Sequence, residues 1–117
     1  MANETKISKE IREAVKKQFP NIRFTRIQCG KLRIGKRWIQ LSEAGWCDYI
    51  GYLPDGRFFA MEIKDPTGHT KKQRAELQDS RIDDINRCGG IAIKVSSVEE
   101  AIKQIDKRFA QIHNLPL

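Results

Sequence analysis

The stretch from Asp48 to Lys64 reads DYIGYLPDGRFFAMEIK. Pro54-Asp55-Gly56 offers proline at the first central position of a type I turn, aspartate at the second, and glycine for the left-handed residue that follows. Those residues predict a three-residue hairpin loop with a glycine bulge. Leu53 then pairs with Arg57, and Asp48 lies directly opposite Glu62. Opposed residues of an antiparallel pair share a face, with Cβ atoms about 5 Å apart. Lys64, two positions beyond Glu62, joins that face because side chains alternate along a strand. A two- or four-residue loop would take Asp48 off Glu62 and break the constellation.

Two carboxylates so close raise one another's pKa unless a cation sits between them. A hard divalent ion such as Mg²⁺ suits their oxygens and keeps waters for phosphate ligands. The Ile63 carbonyl offers a further oxygen. Lys64 would orient or deprotonate an attacking water, or stabilise charge developing on phosphate. The spacing therefore points to metal-dependent phosphodiester cleavage. The plainer reading is a surface hairpin with one ion pair from Glu62 to a neighbouring lysine, since Asp…Glu-x-Lys patterns arise by chance.

At 117 residues, 39% hydrophobic and 32% charged, the chain suits one globular domain, residues 1–117, burying roughly two thirds of its unfolded surface. No apolar run reaches membrane-spanning length, and the N-terminus is too polar for a secretory signal. Three widely spaced cysteines and two histidines support neither a disulfide framework nor a zinc site, and a reducing cytoplasm is the expected setting. The net charge of +7 is uneven: residues 1–37 hold eleven Lys/Arg against three Asp/Glu. A basic half ending where the acidic constellation begins suits a polyanion held over a metal site.

Apolar residues at Ile7, Ile11, Val15 and Phe19 predict a helix over 6–19, stopped by Pro20-Asn21. Glu10 falls on the border of its apolar stripe, as a solvated flank or an outer metal ligand. Residues 22–28 read as a strand. Lys31 to Leu41 alternates basic and apolar residues around a central glycine, as a short hairpin or an ordered loop. Lys31, Arg33, Lys36 and Arg37 are spaced to contact phosphates. Trp38 would stack on a base or wedge into a junction, or else sit in the core. Trp46 reads as packing. After Lys64, a loop leads to a helix over 71–88, with Thr70 and Gln73 in capping-box spacing. Lys71, Lys72 and Arg74 oppose the dipole of its first turn, which suggests a phosphate nearby. Gly89-Gly90 closes that helix, residues 91–95 form a buried strand, and Ser97 with Glu100 caps a last helix. The strand–helix–strand segment from 58 to 95 needs a crossover and hence a parallel pair. The expected fold is α/β, a mixed central sheet flanked by helices in the order α-β-β-β-α-β-α, with a further short strand pair open at 31–41.

Taken in order, these motifs resemble the virus-type replication-repair nuclease (VRR-NUC) domain of the PD-(D/E)xK superfamily. Lys9-Glu10-Ile11 resembles its helical glutamate motif, and Arg26 through Gly30 its Arg-x-(polar)-x-Gly strand. Gly45-x-x-Asp48 is similar to its glycine–aspartate motif. Asp55-Gly56-Arg57 with Glu62-Ile63-Lys64 resembles its Asp-Gly-Arg…Glu-x-Lys core, and Lys72-Gln73 with Gly89-Gly90 its glutamine helix and closing strand. The resemblance implies a restriction-endonuclease-like core in which Asp48, Glu62 and the Ile63 carbonyl hold Mg²⁺ or Mn²⁺, Lys64 is catalytic, Glu10 assists and Gln73 orients the site. Arg26, with the cations of 31–37 and 71–72, would contact DNA. Arg12, where the family often has glutamine, and bulky Tyr49 after Asp48 depart from the pattern. The implied activity is an endonuclease on branched DNA such as four-way junctions, in phage or bacterial replication and repair. A symmetric two-strand cut needs two sites on a twofold axis, hence a homodimer. The alternatives are a noncatalytic nucleic-acid-binding module on the same fold, marked by binding without cleavage, and a protein-interaction adaptor indifferent to DNA.

Overall fold

The loop at Pro54–Gly56 folds as its residues dictate. Gly56 takes φ +89°, its N–H donates to the Leu53 carbonyl at 2.9 Å, and the Leu53 N–H donates to the Arg57 carbonyl at 2.8 Å. Asp55 Oδ1 accepts the Arg57 N–H at 3.1 Å, so the aspartate secures the turn from inside. The strands that leave it pair Tyr52 with Phe58, Gly51 with Phe59, Ile50 with Ala60 and Tyr49 with Met61, the register read from the sequence.

The computed structural model describes residues 4–28, 30–64 and 72–111. Its elements in chain order are α1 (Lys6–Gln18), β1 (Arg23–Arg26), β2 (Gly30–Ile34), β3 (Arg37–Ser42), β4 (Tyr49–Tyr52), β5 (Phe58–Ile63), α2 (Lys72–Arg87), β6 (Ile91–Val95) and α3 (Val98–Gln111). A mixed four-stranded sheet runs β1-β4-β5-β6, and β2 with β3 forms a separate hairpin. β1/β4 and β4/β5 are antiparallel, whereas β5/β6 is parallel, as the intervening helix requires. Residues 31–41 are thus a hairpin rather than an irregular loop. The loop before α2, with the Thr70 cap, His69 and Lys71, lies outside the described residues, as does Cys29.

The helices begin and end for local reasons. Thr5 caps α1 by accepting the Ser8 N–H at 3.2 Å. Ser97 does the same for α3 through the Glu100 N–H at 3.1 Å, while the Glu100 carboxylate reaches back to the Ser96 N–H. Gly89, at φ +97°, turns the chain out of α2.

The two faces of the sheet differ in bulk. On one, α1 and α3 cover Phe24, Tyr49, Leu53, Phe59, Met61, Ile63, Ile91, Ile93 and Val95, with Ile11, Val15, Ala101 and Ile105 filling in from the helices. On the other, α2 lies over the smaller Cys47, Ala60 and Ala92, joined by Ile85. The largely apolar β6, buried at every position but Lys94, fits a strand covered on both sides. No described helix is long and apolar enough to cross a membrane.

Two glycines in this hairpin are required for different reasons. A Cβ on Gly56 would meet nothing within 4 Å, so Gly56→Ala carries only the left-handed backbone penalty, about 1 kcal/mol. A Cβ on Gly51 would fall 1.8 Å from the Arg23 carbonyl oxygen and prise β1 from β4. Urea unfolding should therefore show a small loss for Gly56→Ala and a loss several times larger for Gly51→Ala.

Candidate functional site

Alternation along β5 sends Phe59, Met61 and Ile63 to the α1/α3 face and Ala60 and Glu62 to the α2 face. Tyr49 on β4 points to the first face, so its predecessor Asp48 shares the second with Glu62. The backbone pairing of β4 with β5 stops at Tyr49–Met61. At the next step the side chains take over. The Asp48 N–H donates to Glu62 Oε1 at 3.1 Å, and the Ile63 N–H donates to Asp48 Oδ2 at 3.2 Å. Each carboxylate thus accepts an N–H from the opposite strand. Gln78 of α2 completes the arrangement, its Nε2 donating to Glu62 Oε2 at 2.8 Å. Glu62 and Gln78 are only 5% and 4% exposed.

A buried acid beside a half-buried one favours positive charge. Burial, then the charge of Asp48, pushes Glu62 up to about 8, and burial likewise raises Asp48. Cations on three elements work against this: Arg74 on α2 draws both acids down, Arg26 on β1 acts on Asp48, and Lys94 on β6 acts on Glu62. Lys94 is the register neighbour of Glu62 across the parallel pair. Its ammonium, however, bonds Asp79 Oδ1 at 2.9 Å, so the simple Glu62–lysine ion pair does not form there.

Lys64 is exposed just past the end of β5, and its N–H donates to the Val95 carbonyl at 2.7 Å; the cations that act on the acids are Arg74, Arg26 and Lys94. Ile63 lies between Glu62 and Lys64, its side chain in the α1/α3 core.

Two expected residues stand away from the contacts of the acid pair. Gln73 is exposed in the first turn of α2, and Gln78 makes the contact to Glu62. Five residues separate them, about 140° around a helix, so both cannot face the sheet. Glu10 is exposed on α1, and the acid tied to the site's strand is Glu4. The Tyr49 hydroxyl donates to Glu4 Oε2, and Arg12 grips the same carboxylate through Nε at 2.9 Å and Nη2 at 3.0 Å. The Arg12 guanidinium holds Glu4 below the usual carboxylate range, while burial and the Glu4 bond raise Tyr49. The two departures from the family pattern, Arg12 and Tyr49, thus meet on one carboxylate. Arg26 acts on both Glu4 and Asp48, which links this cluster to the acid pair.

Among the expected nucleic-acid contacts, Arg26 borders the site, and Lys72 is exposed at the start of α2. Lys31, Arg33, Lys36 and Arg37 stand exposed on the separate β2–β3 hairpin. Trp46 is packing, as read: its ring meets Phe58 edge-on at 6.2 Å and lies 4.3 Å beneath the Arg81 guanidinium. The signal for Gln78 was available in the sequence. Ala75, Gln78, Ile82 and Ile85 recur at helical spacing, and a polar residue on an apolar stripe needs a buried partner.

No protein-family model matches the chain, and no curated protein matches it.

The raised Glu62 value has a thermodynamic consequence for the protein without divalent ions. The folded state keeps a proton that the unfolded chain releases near 4.5, so stability is full below 4.5 and falls as pH rises toward about 8. Thermal melts in EDTA across that window should show a declining Tm, and Glu62→Gln should flatten the decline.

Proposed function

We propose that this chain is a metal-dependent endonuclease of the PD-(D/E)xK type, with a VRR-NUC-like, restriction-endonuclease-like core acting on branched DNA as a homodimer. The observation that carries the reading is the meeting of half-buried Asp48 with buried Glu62 one step past the end of a ladder, with Lys64 two residues on in sequence. A protein that only bound an anion would gain nothing by burying two acids together.

The donor set fits a hard divalent cation. Two carboxyl groups that raise each other's proton affinity offer the same negative charge to Mg²⁺ or Mn²⁺, both of which prefer oxygen. Among the described residues no third His, Cys, Asp or Glu joins the pair, so main-chain oxygen, such as the Ile63 carbonyl, and water would complete the coordination. When bound, the ion would supply Lewis-acid polarisation of a phosphate oxygen and a more acidic water.

The chain's own residues have distinct tasks in this scheme. Asp48 and Glu62 hold charge in place, each steadied by an N–H of the opposite strand. Gln78 fixes the Glu62 rotamer through Oε2 and acts as a positioning residue. Lys64 orients or deprotonates the attacking water, or neutralises charge building on the phosphorane oxygens. Arg74, which acts on both acids, and Arg26, which acts on Asp48, would meet the substrate backbone.

A noncatalytic DNA-binding module is the second reading, favoured by the exposed cations of the β2–β3 hairpin. One assay separates the two. Labelled junction, flap, duplex and single-stranded DNA are incubated with Mg²⁺, Mn²⁺ or EDTA, and the products are mapped. The endonuclease reading expects cleavage with either metal and none with EDTA. Asp48→Asn, Glu62→Gln and Lys64→Ala should each lower the rate at least about a hundredfold while largely preserving DNA binding. Retained cutting by both Asp48→Asn and Lys64→Ala would overturn it. Mg²⁺ should raise the Tm of the unsubstituted protein at pH 8 and leave Glu62→Gln unmoved. Gel filtration tests the dimer.

A further inference from the structure

The β2–β3 hairpin stands apart from the α/β body. It forms its own two-stranded sheet, paired with no strand of the four-stranded one. Its strands pair Lys31 with Gln40, Leu32 with Ile39, Arg33 with Trp38 and Ile34 with Arg37, around a two-residue turn in which Gly35 takes φ +62°. Alternation sorts these residues. Lys31, Arg33, Trp38 and Gln40 share one face, and Leu32, Ile34, Arg37 and Ile39 share the other.

Trp38 is 63% exposed. A tryptophan in that state leaves most of a large apolar ring in water, an arrangement that folding alone does not favour. Its neighbours specify what would cover it. The Arg33 guanidinium lies 5.8 Å from the ring centroid and is steadied by its Nε donating to the Gly35 carbonyl at 2.9 Å. From residue 14 through residue 42 the chain carries eight Lys/Arg and no Asp or Glu. A flat aromatic face among cations, on a stretch without acids, is complementary to a planar group attached to an anion.

We infer that this hairpin is a binding arm for unpaired nucleotides, in which Trp38 stacks on a base while Lys31 and Arg33 meet the adjoining phosphates. The inference deepens the nuclease reading and rests on it for its role in cutting, since it names the substrate feature selected: unpaired bases beside a duplex. A base within a duplex has both faces covered by its neighbours. A splayed or single-stranded base offers a free face, and base–aromatic stacking is tolerant of sequence. The arm would thus choose by structure, through a surface separate from the acid pair.

Binding is tested in EDTA, where no cutting occurs. Trp38 emission is taken as the difference between the unsubstituted protein and Trp38→Phe, while a short oligothymidylate, a forked duplex or a closed duplex is titrated in. The arm predicts quenching by the first two and little by the closed duplex. Trp38→Leu, which keeps apolar bulk without the planar ring, should weaken oligothymidylate binding about tenfold or more. Arg33→Gln should weaken it too and lower its salt dependence. Ile39→Thr, on the opposite face, should change neither. Unchanged affinity in Trp38→Leu, an equal loss in Ile39→Thr, or a change in oligomeric state in place of DNA affinity overturns the inference. Matching circular dichroism and Tm show that the variants fold. Trp38-dependent binding without cleavage in Mg²⁺ would retain the arm and remove the nuclease reading. Cleavage with unaltered substrate choice in Trp38→Leu would do the reverse.

Discussion

Leu53 and Arg57 close the loop at Pro54–Gly56, and the parity of that closure governs the molecule. Strand side chains have a period of two, so a slip of one residue exchanges the faces of an entire strand. Here the register sends Phe59, Met61 and Ile63 beneath α1 and α3 and leaves Glu62 under α2. The slipped alternative would drive a carboxylate into the main apolar cluster and crowd three large side chains under α2. The burial that stabilises the fold and the meeting of Asp48 with Glu62 therefore select the same register.

The unequal faces follow from what each must cover. Two helices lie over the bulky side, where aromatic contacts such as Phe24 with Tyr49 and Phe24 with Phe59, at 5.9 and 5.7 Å, interlock the strands. One helix lies over Cys47, Ala60 and Ala92. Small side chains let α2 come close enough for Gln78 to reach Glu62 directly. A layer of leucines there would hold the helix too far off, and Glu62 Oε2 would be buried without a donor. The α2 side thus combines a small apolar cluster with the Gln78–Glu62 contact, and the α1/α3 side holds the larger apolar cluster.

What could be read beforehand was what local chemistry determines. Proline, aspartate and glycine in succession fix a turn, and the turn fixes a register. Helical periodicity located α1, α2 and α3 to within a residue or two, and the crossover from β5 to β6 required a parallel pair. Tertiary reach is what local pattern does not encode. Gln73 stood in capping-box spacing with Thr70 and drew attention from Gln78, whose role depends on which side of α2 meets the sheet. Glu10 had the helical position, but Glu4 lies before the Thr5 cap, where no period applies. Its bond to Tyr49 spans 45 positions in the chain, and no local pattern encodes that. Trp38 was undecided between core and surface because amphipathic alternation on a short ribbon looks the same whether or not another layer covers it.

The electrostatics of the site favour exchange over permanence. Asp48 and Glu62 could have been fixed by a guanidinium in bidentate contact, as Glu4 is by Arg12. Such a pair would be ionised, satisfied and inert. The acid pair instead meets neutral donors, two backbone N–H groups and one amide, while Arg74, Arg26 and Lys94 act on it through space. Neutral donors orient the oxygens without discharging them, so the pair's affinity for positive charge stays high and shows as the raised Glu62 value. A proton meets that demand in the absence of metal, and a divalent ion would meet it more fully by ionising both acids at once. Metal binding at this site should then release protons, which makes affinity rise with pH as the uncomplexed fold loses stability. The two trends share one cause: negative charge held in a dry place by donors that cannot neutralise it.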